Sequence, residues 1–252
     1  MQNFIAIFAV IFAALSDVLD TIVFKRVSEI ATKYSMSKLS ISLIDYVMVL
    51  SLFFLPLALL PIGNTSWRDF FSILYSPWFF CMLLGMVVTR ITTVTFFAAA
   101  YANEKISVLT PYAQVSSVLG IILGFVLFPG VTDWRTFACA LVASIVLWLS
   151  NLEGGRFHFN KYCLLLLVSQ IAQTIQFLLA AKLVERFSPL SVTLGGVVVG
   201  FVLLGLYFIP NRKELKLPQE RMDMMAYWRN DGASNAFWMM NTIISLFLYQ
   251  AV

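Results

Sequence analysis

The sequence predicts an all-α polytopic membrane protein with about eight transmembrane helices. Of its 252 residues, 60% are hydrophobic and only 12% are charged, whereas soluble domains are about 45–50% apolar and about 25% charged. Such an apolar excess fits a chain whose outer surface faces lipid. The apolar residues also fall into stretches as long as a bilayer is thick, and the connections between them contain proline, glycine and charge.

A helix that crosses the hydrocarbon core needs about 20 mostly apolar residues, because the core is about 30 Å thick and each residue rises about 1.5 Å. The stretches that meet this requirement are Phe4–Phe24, Ser40–Pro61, Trp78–Ala102, Ile106–Phe128, Trp134–Asn151, Tyr162–Val184, Leu190–Pro210 and Ala233–Val252. The longest connection, 211–232, mixes charged residues with Met, Tyr and Trp. A short interfacial helix and a plain loop both fit it.

Similar segments recur in the two halves of the chain. The matching pairs are 23–29 with 180–186, 60–61 with 209–210, and 97–101 with 247–249. Spans one to three therefore repeat as spans six to eight, and the unit holds five spans. An odd number of spans inverts the second copy across the membrane, as in many secondary transporters.

We therefore expect residues 1–151 to form a first five-helix repeat and residues 152–252 to form an incomplete second repeat of three helices. Two explanations of the shorter second copy stay open. The protein is a truncated form, or a partner supplies the remaining helices.

Ionisable side chains at membrane depth cost about 2.5–3.5 kcal/mol each, so they are default functional candidates. Asp17 and Asp20 in the first span share one helix face, because they are three residues apart. Arg90 lies at a similar depth in the third span. Two interpretations remain open. An Asp17–Arg90 pair neutralises itself and fixes helix packing, or Arg90 holds an anionic substrate group and Asp20 takes a coupling proton.

Polar residues in other spans add candidates for the same site. Gln170, Gln173 and Gln176 form a stripe on the sixth span, which the repeat places opposite the Asp17/Asp20 region. The stripe lines a central cavity or makes interhelical hydrogen bonds, and the spacing does not choose between them. One end of that cavity is predicted to consist of Tyr101, Tyr112 and Gln114. Asn241, in the eighth span, is a further candidate.

The segment FAAAYANEKISVLTP at residues 97–111 resembles the junction of the third and fourth spans in EamA-type proteins of the drug/metabolite transporter superfamily. There a helix ends in small residues and an aromatic, a very short turn follows, and the next helix carries an early proline. The resemblance implies ten helices in two inverted halves that carry small metabolites or drugs by alternating access. This sequence departs from the family pattern at 128–130, where Phe-Pro-Gly replaces the usual glutamate, and it lacks the last two helices.

Other functional classes find no support in the sequence. The phosphate-loop, dinucleotide-binding and GxSxG patterns are absent, so we expect no enzyme. His158 is the only histidine, and we expect no cofactor or metal. Cys81, Cys139 and Cys163 fall in apolar runs, which predicts buried free thiols. The net charge of +4 is spread over loops, which argues against nucleic acid.

The expected partners are the lipid bilayer and a small-molecule solute, with proton coupling as an open alternative. GxxxG pairs at Gly120/Gly124 and Gly196/Gly200 fit packing within the chain or a homodimer contact. We expect a multi-pass location in the cell (inner) membrane. The leading functional prediction is a secondary transporter or exporter, and the alternative is a non-transporting scaffold or regulatory partner.

Overall fold

The computed structural model describes residues 2–59, 64–113, 115–127, 134–150 and 159–251, and all regular structure within them is helical. The helices are α1 (Gln2–Lys33), α2 (Lys38–Leu59), α3 (Asn64–Tyr75), α4 (Pro77–Asn103), α5 (Ile106–Ala113), α6 (Val115–Leu127), α7 (Trp134–Ser150), α8 (Lys161–Val184), α9 (Pro189–Phe208) and α10 (Arg221–Ala251). Within the described residues, four segments are long and apolar enough to cross a membrane: α4, Ile106–Leu123, α8 and α9. The chain thus has the helices of a membrane protein.

Helices α4, α7, α8 and α9 begin and end within two residues of the apolar stretches predicted for them. Two other helices are longer than predicted, because a helix can continue past the apolar layer into water. Helix α1 extends to Lys33, and α10 begins at Arg221. Most of the segment predicted as an interfacial helix or loop therefore lies either in a 3-10 turn at Arg212–Glu214 or in the first turns of α10.

Local chemistry explains where the central helices begin. Pro77 and Pro189 open α4 and α9, where a missing N–H leaves no hydrogen bond unmade. Asn160 caps α8, because its side-chain oxygen accepts from the backbone N–H groups of Tyr162 and Cys163 at 2.8 and 3.0 Å. Ser188 caps α9 by accepting from the N–H of Ser191 at 3.2 Å.

The bundle is built on a few extensive helix pairs. Helix α4 packs most extensively on α8, and α1 packs on α10, while α2 lies between α9, α4 and α10. Helices α6 and α7 pack on each other at one side, and α3 packs on α9. The Asp69 carboxylate on α3 accepts from the Ser188 N–H at 3.0 Å, which ties α3 to the start of α9.

Helix α8 shows how polarity is distributed across the bundle. Its exposed face is apolar and carries Leu164, Val168, Ile171 and Ile175. Its polar side chains Ser169, Gln170, Thr174 and Gln176 are buried, beside apolar residues such as Leu166 and Leu183. A soluble helix buries its apolar stripe and exposes its polar one. The opposite arrangement here is expected where the surrounding medium is hydrocarbon and polar groups turn towards the interior.

The cysteines follow the same rule, which corrects part of the prediction made for them. All three are free thiols, but only Cys163 is buried, while Cys81 and Cys139 are exposed. An apolar run in a soluble protein indicates burial. In a lipid-facing helix bundle, the same run is as compatible with an outward-facing position.

The Gly196/Gly200 pair on α9 packs within the chain. A Cβ added at Gly200 would lie closer than 3.0 Å to three atoms of the Tyr46 side chain on α2. A Cβ at Gly196 would meet only the flexible end of Met86 on α4. Gly120, from the other GxxxG pair, has no described atom within 4 Å of an added Cβ. The small residues of α9 therefore let α2 and α4 approach closely.

We predict that Gly200→Ala destabilises the protein by about 1–3 kcal/mol, because the new methyl group must displace the buried Tyr46 ring. Gly205→Ala is the matched control on the same helix, since nothing lies within 4 Å of its added Cβ. Thermal unfolding in detergent, followed by circular dichroism, should show a lower Tm for Gly200→Ala only. Equal Tm values for the two variants would show that α9 does not pack on Tyr46.

An ion pair joins the end of α1 to the start of α10. Lys33 Nζ donates to an Asp223 carboxylate oxygen at 2.5 Å, and the Tyr34 hydroxyl donates to the same oxygen at 2.8 Å. These two hydrogen bonds hold the pKa of Asp223 below its ordinary value. The hydrogen bond to Asp223 raises the pKa of Lys33 to about 12. The lysine therefore stays charged throughout the ordinary pH range.

A carboxyl group with a lowered pKa stabilises the folded state above its unfolded pKa and loses that contribution as the pH falls through the folded value. We therefore predict that Asp223→Asn lowers Tm at neutral pH, and that its difference from wild type disappears in acid. Glu220→Gln is the control, because Glu220 is exposed and lies 3.7 Å from the same lysine. A Tm difference that persists unchanged in acid would contradict the assignment.

Candidate functional site

A cavity of about 120 Å³ lies at the centre of the bundle. A water molecule needs about 10–15 Å³ by the same measure, so the cavity has room for several waters or a small solute. Helices α1, α2, α4, α5, α8 and α10 all contribute to its wall. The lining residues are Asp20, Thr21, Phe24, Asp45, Arg90, Thr93, Val94, Phe97, Tyr101, Ala113, Gln170, Gln173, Ser234 and Trp238.

Arg90 is the central charged group of this wall. Its guanidinium Nη2 donates to the two carboxylate oxygens of Asp45 at 3.0 and 3.3 Å. Its other contact is the Trp238 ring, whose centroid lies 3.7 Å from the guanidinium carbon. The Arg90 and Asp45 residues are only 8% and 2% exposed, so the pair is screened from water. A cation–π contact without water is worth about 2 kcal/mol or more.

Asp45 corrects the sequence-based description of the intramembrane charges. Only Asp17, Asp20 and Arg90 were expected at membrane depth, and Arg90 was expected near Asp17. Among the described residues, the carboxylate that pairs with Arg90 is Asp45, because α2 packs directly on α4. Asp45 is the one carboxylate in its apolar stretch, so the rule that selected the others applies equally to it. The Asp17 side chain lies outside the described parts of the structure.

Asp20 lines the same cavity as Arg90 and also joins two helices. The Ser234 hydroxyl on α10 donates a hydrogen bond to an Asp20 carboxylate oxygen on α1. Both residues border the cavity. The structure thus brings Asp20, Asp45 and Arg90 to one space, with α10 closing it on the side of Ser234.

The glutamine stripe on α8 divides between two cavities. Gln170 and Gln173 border the central cavity, whereas Gln176 borders a second, mostly apolar cavity of about 20 Å³ between α2, α4, α8, α9 and α10. Arg90 and Trp238 border both spaces. This stacked pair therefore forms part of the partition between the two cavities.

The aromatic end of the cavity is partly as expected. Tyr101 lines the cavity, and Ala113 approaches it from α5. Tyr112 is buried beside Tyr101 in a separate apolar cluster and does not line the cavity. Gln114 and the side chain of Asn241 lie outside the described parts of the structure. A reciprocal pair of hydrogen bonds, between Thr93 and Ser169, fixes α4 against α8 next to this end.

The sequence signals select neither Trp238, which lines the cavity, nor Asp231, which does not. Trp238 carries no signal of its own, because tryptophan is common in apolar helices. Asp231 is a fully buried carboxylate on α10. It lies two residues before the predicted eighth span, so the sequence does not predict it as an intramembrane charge. Within the described residues, no group of three or more His, Cys, Asp or Glu side chains could hold a metal ion.

No protein-family model, curated protein or solved structure matches the chain. Function therefore has to be inferred from the residues and their arrangement.

We predict that Asp45→Ala destabilises the protein by about 3–5 kcal/mol, because it leaves the Arg90 charge buried without its carboxylate. The double variant Asp45→Leu/Arg90→Met removes both charges and should recover most of that loss. Tm values in detergent for Asp45→Leu, Arg90→Met and the double variant give the coupling. Strictly additive losses would show that the two side chains do not stabilise each other.

Proposed function

We propose that the protein is a secondary active transporter or exporter of small metabolites or drugs that works by alternating access. The observation that supports this most is the central polar cavity between the two halves of the chain. Asp20, Arg90 and Tyr101 reach it from residues 1–151, and Gln173 and Trp238 reach it from residues 152–252. Polar side chains in a bundle with an apolar exterior are costly, and a shared solute site is a common reason to keep them.

The packing of the helices agrees with an inverted repeat. The sequence repeat pairs α1 with α8, α2 with α9 and α4 with α10. If each helix is replaced by its repeat partner, the α4–α8 contact becomes the α10–α1 contact. These two contacts are the most extensive in the bundle. The α2–α9 contact maps onto itself. Eight spans and two inverted copies are therefore the topology that we propose.

Helix directions agree with the inversion as well. Lys25, near the end of α1, donates to the backbone oxygen of Glu104 at 3.1 Å. Asn160, which caps the start of α8, donates to the Glu104 carboxylate at 2.6 Å. The last turns of α1 and the first turn of α8 thus lie at the same end of the bundle, so the two proposed copies of this helix run in opposite directions.

The stacked pair at the partition occupies matching positions in the two copies. Arg90 lies eleven residues before Tyr101, and Trp238 lies eleven residues before Tyr249, the tyrosine that the repeat aligns with it. Alternating access needs a barrier between two spaces that opens as the halves rock against each other. Arg90 and Trp238 border both cavities and come from opposite halves, which suits them to that barrier.

The ion pair with Asp45 limits how Arg90 can hold an anionic substrate group. Its charge is already balanced by Asp45, so an anionic solute group has to displace that carboxylate in order to bind. The same neutralisation favours the alternative function, a membrane scaffold or regulatory partner in which the pair only fixes helix packing. We propose EamA-type membership in the drug/metabolite transporter superfamily on the junction at residues 97–111, and we propose the cell (inner) membrane as the location.

Reconstitution in liposomes separates the two functions. The transporter is expected to move at least one solute from a panel of amino acids, nucleotides, sugars and cationic drugs. A folded protein that moves none of them would support the scaffold.

For the solute that moves, we predict that Arg90→Ala abolishes uptake while the protein stays in the membrane, because the barrier and the cavity wall lose their shared side chain. The double variant Asp45→Ala/Arg90→Ala should also be inactive, which separates lost function from the instability caused by an unpaired Asp45. Arg229→Ala, at an exposed position on α10, is the matched control and should keep wild-type uptake. Unchanged uptake by Arg90→Ala would reject the assigned role.

A further inference from the structure

One face of α10 carries buried oxygen atoms that lack hydrogen-bond partners. Tyr227, Asp231 and Asn235 are spaced by four residues, so they lie along the same face of the helix. Each is no more than 1% exposed. Among the described residues, no partner lies within hydrogen-bond distance of the Tyr227 hydroxyl, the two Asp231 carboxylate oxygens or the Asn235 side-chain oxygen. Buried polar atoms in native proteins are almost always bonded to protein groups or to water, so a fully buried carboxyl group such as that of Asp231 is costly if it is ionised.

The charges around Asp231 disfavour its ionised form and favour the binding of a proton or a cation. The charged groups that face it are Asp20 on α1, Asp45 on α2 and Arg90 on α4. Helix α9 has no charged residue, and α8 has only Lys161 and Lys182, at its two ends. Among the described residues, one cation therefore faces three carboxyl groups, and that cation is already paired with Asp45. An ionised Asp231 would be a buried charge without compensation, which is the least favourable state for a carboxyl group inside a bundle.

We propose that Asp231 is a proton-binding site and that its proton is the one coupled to solute movement. The coupling depends on the transport function proposed above, whereas the binding of the proton does not. In the bound state one carboxylate oxygen of Asp231 carries the hydrogen as an O–H group. In the released state the proton passes to water, and the carboxylate keeps the electron pair.

A proton fits this site better than a metal cation. A sodium ion takes several oxygen ligands arranged around it, whereas the orphaned oxygen atoms all come from one face of one helix. The guanidinium of Arg90 also acts on Asp231 and would repel a metal ion. A bound proton removes the negative charge and needs no coordination shell.

Asp231 lies between the exposed start of α10 and the central cavity. Towards the beginning of α10, Tyr227 lies one turn away, and the Lys33–Asp223 ion pair lies one turn beyond that at the exposed end. In the other direction, Ser234 lies on the wall of the central cavity and bonds Asp20. Asp231 therefore stands between the charged end of the bundle and the solute cavity, which is where a coupling proton has to be held.

Release of the proton also acts on the partition between the two cavities. The newly charged Asp231 then competes with Asp45 for Arg90, which acts on both carboxylates. Arg90 stacks on Trp238 at the partition, so a shift of the guanidinium towards Asp231 disturbs that contact. This gives a physical link between the protonation state of Asp231 and the barrier.

Infrared difference spectroscopy on the purified, solute-free protein tests the proton site without requiring transport. We expect the wild type to show the C=O band of a protonated, buried carboxyl group at neutral pH, and the band should shift on hydrogen–deuterium exchange. Asp231→Asn should lose the band, and Asp231→Glu should restore it at a shifted frequency. Asp223→Asn, at the exposed end of the same helix, should leave it unchanged.

Three outcomes would overturn the assignment. The first is a band that survives in Asp231→Asn, and the second is a wild type that has no such band at neutral pH. The third is a band that disappears when sodium chloride replaces choline chloride, which would assign the carboxylate to a sodium ion. If Asp231→Asn fails to fold, the comparison of wild type with Asp231→Glu still decides, because only a band from residue 231 shifts between them. A protein that moves no solute but shows the band would overturn the proposed transport and keep the proton site.

Discussion

The Arg90 guanidinium lies inside a bundle whose outer surface is apolar, and the arrangement of the central helices follows from the need to balance its charge there. Asp45 supplies the carboxylate and Trp238 supplies the π-face, so α2, α4 and α10 are held at one depth. A buried ion pair adds little stability compared with apolar side chains of the same size, but breaking it is costly. The interaction therefore selects one packing of these helices, and the central cavity forms around it.

The distribution of polar side chains explains why they gather around one cavity. Helix α8 exposes leucine, valine and isoleucine side chains, while its Ser169, Gln170, Thr174 and Gln176 are buried. In lipid, polar groups are stabilised only by one another or by water held within the protein. The scarce polar side chains are consequently drawn together, and a cavity with carboxylates, a guanidinium and amides is the result. The proposed transport function and the proposed proton site both use this shared interior.

Glycine and small polar residues set how closely the helices approach. Gly200 admits the Tyr46 ring, and the exchange of hydrogen bonds between Thr93 and Ser169 locks α4 onto α8. Tyr46 is adjacent to Asp45, so the close approach of α9 to α2 also fixes the carboxylate that balances Arg90. Packing and electrostatics thus depend on each other at the centre of the molecule, although α9 itself has no charged residue.

The sequence by itself determined the helical class and the bounds of α4, α7, α8 and α9 to within two residues. It also indicated Asp20, Arg90, Gln170 and Gln173 as candidate site residues. These follow from hydropathy and from the rarity of polar groups at membrane depth, which are properties of single segments. Only the tertiary structure decided that Asp45 pairs with Arg90, that Trp238 covers it, that Tyr112 stays outside the cavity and that Asp231 is buried. The reason is physical. Pairing, stacking and burial depend on which helices are neighbours and at what rotation, and one helix's sequence does not contain that information.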